Sequence, residues 1–152
     1  MFSLTLIVLI IDIISKLIIK HYLTLDNSIH VIRGFFDLTY VRNTGVAWSF
    51  LDNNKYFVLI LSGLIIMGIV YYIYKEKPNR KITKLAYSLI LGGALGNFIN
   101  RVFYGYVIDF LDFKIFGYSY PIFNIADVFI VLGVIILMYD TWRCGNGNKG
   151  RQ

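Results

Sequence analysis

Hydrophobic positions in this chain come in long runs. The first lies in MFSLTLIVLIIDIISKLIIKHY at the start of the chain, predicts a helix over about residues 2–21, and is broken only by Asp12, Lys16 and Lys20. It has neither the basic residues ahead of its core nor the small-residue cleavage site behind it that a secretory leader carries, so it is expected to stay as a first membrane-spanning helix. Residues 56–74 hold nineteen positions without a charge, enough to cross about 28 Å at the helical rise. Residues 85–104 and 123–142 complete four spans. Between the first and second spans, residues 22–55, the period changes. Ile29 to Ile32 and Phe35 to Arg42 are rich in β-branched and aromatic residues and predict short strands around a turn at Gly34. Asn43, Thr44 and Gly45 then precede an apolar cluster, Val46 to Leu51, that predicts a short surface helix with Trp48 at interfacial depth. Residues 22–55 and 105–122 read as the two extracytoplasmic segments, the stretch of the second between VIDF and PIFNIAD being a short aromatic connection. The expected fold is a single all-α membrane domain over residues 1–152, with a small extracytoplasmic β-sheet and a surface helix.

Composition agrees. A mean hydropathy of +0.64 and 57% hydrophobic residues exclude an ordinary soluble domain. A net charge of +6 would suit nucleic acid if the cations shared one soluble face, but they lie between apolar runs. Residues 75–84, KEKPNRKITK, hold five of them against one acid, so this short loop is expected in the cytoplasm with both termini. The single cysteine, Cys144, excludes an intramolecular disulfide and offers no metal-ligand spacing. No cofactor is expected.

Orientation sets depth. Lys16, Asn97 and Arg101 fall in the outer halves of outward-running helices, Asn124 and Asp127 open the fourth helix from outside, and Asp109 follows the third. Costly polar groups from separate parts of the chain therefore converge near the outer surface. Asp12, Lys16 and Lys20 share one helical face: an ion pair toward a neighbouring helix, or a support for a polar site. Gly92 and Gly96 form a pair that admits close helix approach, and the glycines of this helix could also leave room for a substrate backbone. A structural salt bridge from Arg101 to one aspartate would leave the other unexplained.

Two carboxylates a few ångströms apart cannot both ionise, so Asp109 and Asp127 are candidates for a pair that shares a proton and hydrolyses a peptide bond. His21 and His30 have no nucleophile pattern beside them, and serine or cysteine hydrolase motifs are missing from the sequence. A proton relay or small transporter would need ionisable groups across the membrane, yet Leu85 to Ala94 and Val128 to Tyr139 contain none. A non-catalytic scaffold would make both aspartates dispensable.

The motifs DIISK (12–16), VRNTGVAWS (41–49), GGALGNFINR (92–101), VIDF (107–110) and FNIAD (123–127) resemble, in order and over nearly the whole chain, those of bacterial lipoprotein signal peptidases, the signal peptidase II family. The resemblance implies a monomeric aspartic endopeptidase of the bacterial cytoplasmic membrane, with its active site near the outer face. Such an enzyme cuts the signal peptide from a lipid-modified prolipoprotein before its diacylglyceryl-modified cysteine. Its partners would be that substrate, the surrounding membrane lipids and globomycin-type inhibitors. It implies that Asp109 and Asp127 are catalytic, and that Asp12, Lys16, Asn43, Gly93, Asn97, Arg101 and Asn124 line or support the substrate site. It also implies a sheet and surface helix that clamp substrate. One departure is Asn100, where the family usually has an aspartate before the arginine; a neutral amide there is expected to bond still.

Overall fold

The computed structural model describes residues 1–45 and 55–149. Four helices, α1 (Phe2–Tyr22), α2 (Lys55–Glu76), α3 (Lys81–Tyr104) and α4 (Ile125–Lys149), are long and apolar enough to cross a membrane. They match the expected spans, with α3 starting four residues earlier and α4 two residues later than the hydropathy pattern suggests. The expected surface helix at Val46 to Leu51 lies outside the described residues.

The least hydropathic of the four helices is also the most buried. The α3 window has the lowest mean hydropathy, 1.3, and half of it is buried; α2, at 2.3, exposes nearly all of its surface and buries only Ile73. This is the pattern expected where the solvent is lipid: outward positions must be apolar, and polar groups are tolerated only where protein covers them. α3 is thus the central post, flanked by α1 and α4.

Glycine sets how closely these helices approach. A methyl group on Gly92 would stand 2.6 Å from Val8 Cγ1 and 2.9 Å from the Thr5 carbonyl of α1, and one on Gly96 would strike the Asp12 carboxylate. On the adjoining face a methyl on Gly93 would collide with the Ala126 carbonyl of α4. The space these glycines leave is therefore filled by α1 and α4 and does not form a channel for a substrate backbone.

At the end where α1 and α3 stop and α4 begins, four antiparallel strands form one sheet in the order β1 (Ser28–Ile32), β2 (Phe36–Asn43), β3 (Val107–Ile115), β4 (Tyr118–Ser119). β1 and β2 fall where sequence places them, joined through Gly34 at φ 76°. The stretch read as an aromatic connection is instead β3 and β4. Its run VIDFLDFKI, bounded by Gly105 and Gly117, carries the strand signal that the reading passed over. Ile19 and Leu23 of α1 pack against Tyr40, Ile108 and Phe110, which seats the sheet on the bundle.

Candidate active site

Asp109 is placed by β3 and not by the end of a helix. After α3, Gly105 takes the left-handed conformation (φ 76°) and its N–H caps the Arg101 carbonyl at 3.0 Å. The Asn100 Oδ1 then accepts the Ile108 N–H at 3.2 Å, so this buried amide anchors the start of the strand. β3 pairs with β2, Val41 opposite Asp109. The N–H groups of Phe110 and Leu111 both donate to the Phe123 carbonyl, at 3.0 and 2.8 Å. That tie brings Asp109 beside residue 124, the cap of α4.

The first turn of α4 holds Asp127 through a reciprocal cap. The Asn124 Oδ1 accepts the Asp127 N–H at 3.2 Å, and Asp127 Oδ2 accepts the Asn124 N–H at 3.1 Å. An Asn and an Asp here perform the exchange usually made by Ser or Thr with Glu. The Ala126 N–H, another donor without an intrahelical partner, goes to Asp12 Oδ1 of α1 at 3.1 Å.

Asn124 is wholly buried, and its side-chain NH2 donates to Asp109 Oδ1 at 2.6 Å and to Asn97 Oδ1 at 3.1 Å. One residue thus bonds both aspartates, Asp109 through its side chain and Asp127 through its backbone. The other carboxylate oxygens are also engaged: Asn43 Nδ2 donates to Asp109 Oδ2 at 2.8 Å, and Asn97 Nδ2 to Asp127 Oδ1 at 2.7 Å. Behind them, the Lys16 ammonium bonds Asn97 Oδ1 at 2.8 Å and Asp12 Oδ2 at 2.7 Å. Lys16 and Asp12 are 1% and 0% exposed, so the ion pair faces inward and also supports the polar cluster.

The structure therefore gathers Asp12, Lys16, Asn43, Asn97, Asp109, Asn124 and Asp127 into one hydrogen-bonded network, with Gly93 packed against the first turn of α4. Arg101 stands outside it. Its guanidinium makes no ion pair among the described residues, its buried Nε has no hydrogen-bond partner there, and it lines a cavity of about 300 Å³ with Lys55 and Tyr56. The salt-bridge account of Arg101 is not realised among these residues.

Burial pushes the Asp109 carboxyl up to about 6; the Asn43 and Asn124 donors oppose this and the Asp127 charge adds to it. A cavity of about 380 Å³ lined by Arg42, Asn43, Pro121 and Ile122 opens onto Asp109. Another of about 390 Å³, lined by Phe123, Val128, Val131 and Leu132, opens onto Asp127. The carboxylates are accordingly approached from two sides, one bearing polar groups and one apolar apart from Asp127.

Sequence comparison bears on this arrangement. The family model described as signal peptidase (SPase) II matches residues 4–143. The chain belongs to the signal peptidase II family. Proteins named lipoprotein signal peptidase from Anoxybacillus flavithermus, Bacillus pumilus and Staphylococcus aureus are 37%, 42% and 39% identical to it. The matches cover 98%, 91% and 95% of this chain and 89% of each relative. A bacterial membrane enzyme structure obtained by the in meso method at 2.3 Å superposes with a TM-score of 0.87 at 36% identity, covering 99% of this chain and 92% of that one. A second such structure, at 1.9 Å, gives 0.84 at 38% identity over 92% and 90%. The signal peptidase II family accounts for the sequence motifs and for the four-helix layout together.

Proposed function

We propose that this chain is an aspartic endopeptidase that removes signal peptides from prolipoproteins, cutting before the lipid-modified cysteine, with Asp109 and Asp127 as its catalytic pair. The observation that carries this reading is Asn124, which bonds both carboxylates at once in a site where burial already holds one proton near pH 6. The curated relatives' name, lipoprotein signal peptidase, supports the substrate class.

In this mechanism the ionised member of the pair takes a proton from water as the water attacks the scissile carbonyl. The protonated member polarises that carbonyl and then protonates the leaving amine. The pair titrates as a unit, so the roles belong to the dyad. Asn43, Asn97 and Asn124 hold the carboxylates in register, and the two cavities receive the chain on either side of the cut. The basic loop supports an orientation with both termini in the cytoplasm and the dyad near the outer membrane surface, where a signal helix would enter sideways from lipid.

The test is to incubate purified protein, in detergent or lipid, with a diacylglyceryl-modified precursor. The expected outcome is cleavage at the modified cysteine, lowered about 10²–10⁴-fold in both Asp109→Asn and Asp127→Asn. Retained cleavage in either variant overturns the assignment of the dyad.

A further inference from the structure

The amide of Asn97 can be oriented in two ways, and the structure contains a device that permits only one. Its Oδ1 receives two donors, Lys16 Nζ at 2.8 Å and Asn124 Nδ2 at 3.1 Å, so its NH2 must face Asp127 Oδ1 at 2.7 Å. A flipped Asn97 would set its NH2 against an ammonium and another NH2, and its oxygen against a carboxylate. Each is a buried mismatch of like partners. Asn124 cannot relieve it: both its amide hydrogens are used, and its Oδ1 is held by the Asp127 N–H.

We propose that Lys16 is a positioning residue for the hydrolysis described above: its ammonium, anchored by Asp12, locks the Asn97 amide so that an N–H always points at Asp127. The inference rests on the catalytic assignment of the dyad. The simpler account is that Lys16 merely neutralises the buried Asp12. That account uses one ammonium hydrogen and does not need the bond to Asn97. Asp12 has a structural task of its own, accepting the Ala126 N–H, which an amide oxygen at that position could also perform.

The charged groups around Asp127 are Asp12 and Lys16 from α1, Arg101 from α3 and Asp109 from β3. An N–H donated to a carboxylate favours its ionised form, and a weakened lock withdraws part of that support from the dyad. The acid limb of the pH–rate profile then moves to higher pH.

The two accounts separate in the pair Lys16→Met and Asp12→Asn/Lys16→Met, assayed for precursor cleavage with thermal unfolding measured in parallel. The double variant removes both charges, so it abolishes any penalty for an unpaired Asp12 while taking from Asn97 Oδ1 the charged one of its two donors and leaving only Asn124 Nδ2. The expected result is that the double variant folds, loses about 10²-fold in kcat, as small displacements of catalytic groups do, keeps KM, and shows the raised acid limb. Recovery of wild-type kcat and pH profile in the double variant overturns the proposal, as does failure of both variants to fold, which would make Lys16 an element of the fold alone. Absence of cleavage by the unmodified protein would instead sink the catalytic reading beneath it.

Discussion

At the scale of single residues, each carboxylate oxygen of Asp109 and Asp127 accepts a neutral N–H donor. Neutral donors stabilise a carboxylate without supplying a competing cation, so the proton balance of the pair stays sensitive to each amide. Asn43 is the clearest case, since its Nδ2 opposes the burial that raises Asp109. Asn43→Ala removes that opposition, the Asp109 carboxyl rises above about 6, and the proton on the dyad is kept to higher pH. The alkaline limb of kcat/KM should shift upward accordingly, and a pH–rate series on the two proteins measures it. Most members of the polar cluster were legible in the sequence, because ionisable and amide residues in apolar runs stand out against their neighbours. The bonding pattern was not. Whether Arg101 pairs with an aspartate depends on side-chain direction; among the described residues it makes no ion pair and lines a cavity with Lys55 and Tyr56. Asn100 bonds as a neutral amide, as expected, but its partner, the Ile108 N–H, is a backbone group that no sequence pattern names.

Among the elements, α3 is the one whose packing residues stand out most plainly in the sequence, although it starts four residues before the expected span. Its small residues sit on two faces, Gly92 and Gly96 toward α1 and Gly93 toward α4, and each admits a backbone or a functional side chain. Gly96→Ala would drive a methyl into Asp12, and the overpacking should cost about 1–3 kcal/mol. Gly68→Ala on α2 meets nothing within 4 Å and serves as its control. Thermal unfolding in one detergent should lower Tm for the first and leave the second unchanged or slightly higher. Hydropathy found all four helices because lipid exposure demands it, but it could not find β3. Half of that strand is buried against α1 and α4, so its alternation is blurred, and only the glycines at either end and its β-branched and aromatic content mark it. The start of α4 was likewise set by a cap, Asn124 with Asp127, and not by the onset of apolar residues at Phe123.

Across the whole molecule, most buried polar groups gather in two places, the cluster around Asp12, Asn97 and Asn124 and the end of the bundle opposite the sheet. At the end opposite the sheet, Asp140 is buried and takes Thr83 Oγ1 at 2.6 Å and the Arg80 guanidinium at 2.7 Å, which fastens α4 to the start of α3. Cys144, one turn further along and exposed, is the sole thiol. A membrane-impermeant maleimide should label it in inverted vesicles and not in intact cells; the opposite result would reverse the proposed orientation. The chain also divides at residues 77–80 into two parts of unequal chemical content. Both aspartates, with Asn97 and Asn124, belong to the later part; Asp12, Lys16 and Asn43 belong to the earlier one. β2 lies against β3, and α1 against Gly92 and Gly96, along the seam between them. A gene split in that short link should therefore yield two polypeptides, each inert by itself, that complement one another when made in the same cell.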